Sequence, residues 1–365
     1  MTTATAKTGT SRDAHRIHIL GPGNLGQYLA RGLVRQNPQL PVTLLFHRSG
    51  LLSDWKAAGE AIECETGGEK DRTGGIDTEV VSEAGGEVSP IKHLIVACKT
   101  YMVVPALRQV RGRLDEKSTI VFLQNGMGTT GEVTRELFPS ASTRPSYWAG
   151  ICVLGVSSTK PFSIIPTGKG HITLGPVVED LLSGSAGSSH SADNFLIRQM
   201  VQMDDPTSTV VTPAELRKAQ LLKLVANSII NPLTVVFNCK NAQLLDHAPV
   251  RDLIQALVVE AGPVIRALLP PSQTVDGNGD VSAFSDEKLL EYVYMVTRKT
   301  GTNTSSMLQD ARNGKRTEID YINGFIAAQG ERIGSPCFNH EVLVGMVNKG
   351  ERLEPGDVAS RFKLR

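Results

Sequence analysis

Three absences narrow the field first. The chain has no excess charge of one sign: 38 Lys+Arg stand against 37 Asp+Glu in 365 residues, a formal net charge of +1. A surface so balanced carries no electrostatic footprint for nucleic acid or an anionic membrane face, and neither is expected as a partner. No uninterrupted apolar run approaches the roughly 18 residues of a membrane span. The five cysteines, at 64, 98, 152, 239 and 337, are odd in number and include no CxxC pair. They read as free thiols in a reducing compartment, and no bound metal is expected. Residues 1–14 are rich in Thr and Ala and lack the apolar core of a secretory signal. They read as a disordered N-terminus. The expected location is cytoplasmic, with a mitochondrial presequence as the alternative reading.

What is present divides into two halves, as the length allows. The apolar stretch His15–Leu20 runs into Gly21-Pro22-Gly23-Asn24-Leu25-Gly26, after which Leu25, Leu29 and Leu33 recur at helical spacing. Val42–Phe46 is a second apolar strand. A strand, a glycine-rich turn, a helix and a strand make a parallel unit, and such units build a doubly wound sheet. Further buried strands are expected at His93–Cys98 and Ser118–Leu123, with a helix over Pro105–Leu114 between them. Residues 65–90 suggest an irregular or hairpin insertion, 146–178 look β-rich, and 183–194 read as a flexible loop. A linker is expected at Asp204–Pro213, with Thr212 and Pro213 as helix N-cap and first residue. Beyond it the pattern is helical, notably Pro249–Leu269 and Asp286–Thr297, with a loop at 270–280.

A lone GxGxxG is weak, but here it follows a strand and opens a helix. Gly21 allows the tight turn, Gly23 lets a pyrophosphate approach, Gly26 permits close helix–strand packing, and the whole turn, with Pro22, Asn24 and Leu25, is the expected cofactor-binding segment. NAD-preferring sites carry an acid at the end of the second strand; this chain has His47 and Arg48 there. A cation suits a 2′-phosphate, so NADP(H) is the expected cofactor. Lys99 directly follows one buried strand and Gln124-Asn125-Gly126-Met127-Gly128 another, where ligands of open α/β sheets sit. Lys99 is placed to reach cofactor phosphate or ribose, and Asn125 the junction of nicotinamide and substrate.

The second half carries an apolar stretch, 219–237, holding Lys223, Asn227 and Asn231 at positions i, i+4 and i+8. They fall within an arc of roughly 80° on one helix face. The rest of that helix is apolar nearly all round, which implies burial. A buried ammonium and two amides need partners. A small ligand with a carbonyl, carboxylate or hydroxyl would supply them; so would a structural polar network within a helical bundle.

Taken together, the glycine turn, Lys99, Gln124-Asn125-Gly126-Met127-Gly128, the segment from Lys223 through Asn227 and Asn231 to Pro232-Leu233-Thr234, Ser305-Ser306-Met307-Leu308-Gln309-Asp310 and Arg316-Thr317-Glu318-Ile319-Asp320-Tyr321-Ile322-Asn323-Gly324 resemble the ketopantoate reductase (2-dehydropantoate 2-reductase) family. The resemblance runs from about residue 16 to about residue 347. It implies a Rossmann-type NADP-binding domain, here expected over 15–208, and an all-helical substrate domain, here expected over 209–350, with the active site in the cleft between them. It implies NADPH-dependent reduction of 2-dehydropantoate to (R)-pantoate, a step toward coenzyme A. Residue by residue, Lys223 matches the catalytic lysine and Glu318 a catalytic and cofactor-side glutamate. Asn125, Asn227, Asn231 and Ser306 match substrate contacts, with Asn241 and Asn303 as further candidates. Lys99 matches a cofactor-binding lysine.

In chemical terms, hydride addition at C2 builds negative charge on the carbonyl oxygen, and Lys223 is the expected general acid. A reductase of another branched 2-oxo acid is the alternative, and a non-catalytic scaffold descendant is a third reading. The 65–90 and 183–194 segments and the tail beyond 348, expected over 351–365, depart from the family pattern and fit a fungal-like branch. A homodimer is the expected assembly.

Overall fold

The computed structural model describes residues 13–81, 89–178, 194–269 and 281–364. The expected disorder of 1–14 and the loops at 183–194 and 270–280 fall almost wholly outside the described residues. Only the short turn Asp13–His15 and residue Asn194 are seen. Contacts divide the chain into two compact units. The first takes the described residues up to Gln124, those from Thr130 to 178, and those from 194 to Leu216; the second takes Asn125–Thr129 and the described residues from Arg217 onward.

The first unit contains β1 (Ile17–Leu20), α1 (Asn24–Gln36), β2 (Val42–Phe46), α2 (Ser49–Ala57), β3 (Ile62–Thr66), β4 (Glu69–Thr73), β5 (Asp77–Val80), β6 (His93–Val96), α3 (Val103–Val110) and β7 (Thr119–Phe122). It continues with most of α4 (Thr129–Leu137), then β8 (Ser146–Val153), β9 (Val156–Lys160), β10 (Ser163–Pro166), β11 (His171–Pro176), α5 (Phe195–Val201) and β12 (Thr207–Val210). Strands β5-β2-β1-β6-β7-β8 run parallel in that spatial order, with β11 antiparallel to β8 and β12 parallel to β11. This is the doubly wound order, reversing between β1 and β6. Every residue of β1 and β2 is buried, as a parallel sheet covered on both faces requires. Ile19 and Leu44 pack with Tyr28, Leu29 and Leu33 of α1, while Leu20 and Leu45 pack with Val103 and Leu107 of α3.

Of the 65–90 region, residues 82–88 lie outside the described residues, and the expected hairpin is found at its start. β3 and β4 form a hairpin closed by Gly67-Gly68, both with positive φ, as a two-residue turn demands. They join β10 and β9 in a second sheet, ordered β4-β3-β10-β9. Arg31 of α1 holds that sheet through both oxygens of Asp71, at 3.2 and 2.5 Å.

The second unit holds α6 (Pro213–Val236, apart from its first turn), α7 (Ala248–Ala267), α8 (Asp286–Lys299), α9 (Ser306–Arg312), α10 (Ile319–Arg332), α11 (Phe338–Lys349) and α12 (Val358–Arg361). Thr212 and Glu215 close α6 at its start: the Thr212 hydroxyl accepts from the Glu215 amide, and the Glu215 carboxylate accepts from the Thr212 amide at 2.8 Å. By length and mean hydropathy α6 could cross a bilayer, but 72% of its most apolar stretch is buried here. It is the core helix, packed through Leu221, Val225, Ile229 and Leu233.

Three boundaries need correction. The expected linker at 204–213 contains β12, which is paired along its length with β11; its polar Thr-Ser-Thr sequence hides a strand. The division falls at Leu216, inside α6, not at 208. The expected tail, 351–365, belongs to the helical core: Val358 and Phe362 are 0% and 5% exposed within it.

Candidate functional site

In the first unit, the strand ends converge on the glycine turn. Gly21 has φ +106°, and a Cβ there would lie 2.5 Å from the Cys98 amide nitrogen, so only glycine fits. A Cβ on Gly26 would lie 2.1 Å from the Gly21 carbonyl and 3.3 Å from the Ile19 side chain, so the helix start packs closely on the turn. At Gly23 nothing stands within 4 Å of the added carbon. Gly23 is the N-cap of α1, makes no side-chain cap, and is followed by a first turn without an acid. A helix start left open in this way fits a pyrophosphate.

The neighbouring residues take different roles. Leu25 packs against the core, and the Pro22 carbonyl accepts from Gln27 at 2.9 Å. Asn24, expected to bind cofactor, commits its side-chain amide to the Val156 carbonyl at 3.0 Å and so ties the β8–β9 segment to the turn. Arg48 is exposed at the N-cap of α2, whose first turn is also free of acids. Partial burial, then Arg48, hold His47 below its ordinary range.

Lys99 is half-buried and opens the short turn Thr100–Met102. Gln124 fixes the backbone leading into it, donating to the carbonyls of Val96 at 2.7 Å and Cys98 at 3.1 Å. Gln124 is missing from the sequence-predicted site residues. A glutamine directly after a strand is the signal that could have found it.

In the second unit, α6 lays Lys223, Asn227 and Asn231 along one face, the first two half-buried and Asn231 buried. The Asn231 carbonyl accepts from the Thr234 hydroxyl at 2.7 Å, and Thr234 meets Ser305 at 2.7 Å. Ser305 caps α9 by accepting from the Leu308 amide at 3.1 Å. Ser306, the expected substrate contact, is exposed at the first position of that helix. Asn241 is buried, donates to the Thr300 hydroxyl at 2.8 Å, and its backbone amide meets the Asn303 carbonyl at 3.2 Å. Asn241 and exposed Asn303 thus come together in a structural corner.

Glu318 is 6% exposed and is the N-cap of α10 without capping it through its side chain. Its carboxylate instead accepts from the Asn125 amide at 3.3 Å. Local backbone makes this possible. Gly126 has φ +82°, and a Cβ on it would lie 2.3 Å from the Tyr321 carbonyl. The Met127 amide donates to that same carbonyl at 3.0 Å. The Asn125–Thr129 loop therefore seats directly on the first turn of α10 and groups with the helical unit, another departure from the expected domain limits.

Chemically, the second unit offers a half-buried ammonium, two amides on one helix face and a buried carboxylate joined to a third amide. Among the described residues no group of three His, Cys, Asp or Glu is placed to hold a metal ion.

The family model described as Ketopantoate reductase PanE/ApbA matches residues 17–179, and that for the Ketopantoate reductase PanE/ApbA C terminal matches residues 215–351. A 2-dehydropantoate 2-reductase of Escherichia coli O157:H7 is 30% identical, over 71% of this chain and 74% of its own. The chain belongs to the ketopantoate reductase family. The members of this family are oxidoreductases. A ketoisovalerate reductase of Beauveria bassiana is 28% identical over 97% of this chain and 87% of its own. The fold is also that of a solved D-mandelate dehydrogenase with NADH and anilino(oxo)acetate, at TM-score 0.72 and 17% identity, covering 94% of this chain and 99% of that one.

Proposed function

We propose that this ketopantoate reductase family member reduces 2-dehydropantoate to (R)-pantoate with NADPH. The observation that carries this reading is the buried Glu318 carboxylate paired with Asn125, in a unit whose core helix presents Lys223, Asn227 and Asn231 together. Family membership supports it.

Gly21, Gly23 and Gly26, with Lys99, would hold the cofactor, and exposed Arg48 would take the 2′-phosphate. When bound, the nicotinamide supplies a hydride to C2. Lys223 donates a proton to the C2 oxygen as negative charge grows there. Glu318 opposes the cost of keeping that ammonium out of water and, through Asn125, orders the cofactor side. Asn227 and Asn231, with Ser306, orient the substrate carboxylate and hydroxyl. Asn241 is left out of this set, because its donor is committed to Thr300.

A second reading is favoured by the Beauveria bassiana relative: the substrate is ketoisovalerate, which lacks the terminal hydroxymethyl group. Values of kcat/KM for both acids with NADPH decide between them. A site that hydrogen-bonds the hydroxyl should reject the acid without it by about 10⁴-fold, whereas an apolar pocket discriminates by only about 10²-fold. Turnover of neither acid would remove both readings. A cytoplasmic homodimer completes the proposal, and cell fractionation and light scattering test it.

A further inference from the structure

Pro232 has no amide hydrogen, so the Ser228 carbonyl four residues earlier loses its helical partner. Ser228 is fully buried, and an unpaired carbonyl there would be costly. The missing donor comes from another helix. Asn323 of α10 donates from Nδ2 to the Ser228 carbonyl at 2.8 Å. The same nitrogen lies 3.0 Å from His340 Nδ1, and His340 Nε2 lies 3.1 Å from the Leu257 carbonyl.

The protons in this chain can be assigned. A carbonyl only accepts, so Nε2 of His340 carries the hydrogen and Nδ1 accepts from Asn323. Burial pushes His340 down to about 4, consistent with that neutral tautomer. The amide orientation of Asn323 follows too, because the reverse would set two carbonyl oxygens against each other. Asn323 and His340 are both 0% exposed. His340 is itself held: the Glu260 carboxylate accepts from the amides of Asn339, at 2.9 Å, and His340, at 3.3 Å, capping α11 from α7.

The location matters. Ser228 lies in the turn of α6 between Asn227 and Asn231, and Asn323 lies on the helix that begins after Glu318. We propose that Asn323, oriented by His340, is a positioning residue. It docks α10 onto α6 at the carbonyl that Pro232 leaves open, and so sets the Glu318 carboxylate against the face that carries Lys223. The catalytic consequence rests on the reductase reading above; the docking itself does not.

A double-variant cycle tests both. Pro232→Ala returns an amide hydrogen to Ser228. Asn323→Leu in the native background strands the Ser228 carbonyl, and in the Pro232→Ala background it does not. The fall in Tm on Asn323→Leu should therefore shrink by about half when Pro232 is replaced. Equal falls in both backgrounds would overturn the docking. For positioning, the double variant is compared with Pro232→Ala alone, using NADPH and whichever 2-oxo acid the native enzyme reduces faster. The expected result is a kcat lower by about tenfold with NADPH affinity, read by fluorescence titration, within about twofold. An unchanged kcat in the folded double variant would reduce Asn323 to a structural residue and overturn the proposal. If the native protein reduces neither acid, the reductase reading and the catalytic consequence fall together, while the Tm cycle, which needs no substrate, still decides the docking.

Discussion

The Asn125 amide donates to the Glu318 carboxylate at 3.3 Å across 193 positions of sequence. Gly126 makes that approach possible, because its φ of +82° and missing Cβ let the loop rest on the Tyr321 carbonyl. Gly126→Ala should therefore displace Asn125 from Glu318. The expected outcome is a Tm lower by several degrees and a kcat lower by about tenfold. Thermal melts and steady-state kinetics check it; a variant matching the native enzyme in both would break the link between this loop and turnover.

Lys223 is assigned as the proton donor to the developing oxyanion. Lys223→Ala should lose at least about two decades of kcat while the protein stays folded, in line with the loss of one donor at comparable centres. Near-native turnover in a variant with a native circular dichroism spectrum would remove the lysine from the mechanism. Asn231→Ala should instead raise KM more than it lowers kcat.

Arg48 stands exposed at the N-cap of α2 with no acid in the turn that follows. Arg48→Asp should weaken NADPH by about tenfold or more and leave NADH little changed, since only the 2′-phosphate loses its cation. Titration of both nucleotides against both proteins checks this, and an unaltered preference would discard the assignment.

Three imidazoles, buried His18 and His340 and half-buried His93, make stability depend on pH. Burial, with Arg113 and Arg16 adding to it, pushes His18 from 6.5 down to about 3. Burial pushes His93 and His340 to about 4. Each is neutral when folded and takes a proton on unfolding below 6.5, so the unfolded chain binds more protons and stability rises with pH across this window. The contribution is full above 6.5 and is lost progressively as pH falls toward 4. Urea unfolding at pH 7, 6 and 5 should show the decline. His93→Phe, which removes one of the three, should flatten its slope.

The last fifteen residues should matter to folding although no motif falls in them. Val358 and Phe362 are buried with the helical core. At about 1.5–3 kcal/mol for each side chain, truncation after Gly350 should lower Tm by roughly 10 °C. A truncated protein that melts with the full chain would show that these contacts add nothing.

The sequence by itself determined the parts whose cause is local. Mostly apolar runs named β1, β2, β6 and β7 to within two residues, because strands buried on both faces favour such residues. The glycine turn was legible because a positive φ and a carbon-free approach leave no substitute at Gly21. Helical spacing put Lys223, Asn227 and Asn231 on one face, and Pro232 by its chemistry removes the helical donor to the Ser228 carbonyl. The donor itself was not legible. Asn323 lies 95 residues on, and His340 is apparent only once α11 is packed. The same holds for Asn125 with Glu318, for Arg31 with Asp71, and for Val358 and Phe362 in a segment that reads as a tail. Hydrogen bonds and burial between distant residues depend on which backbones the fold brings within about 3 Å, and no short-range pattern encodes that. Asn24, Asn241 and Ser305 show the same limit from the other side. Each is a polar residue of ordinary spacing, and only the tertiary structure decided which of them ties the fold together and which faces are left open for chemistry.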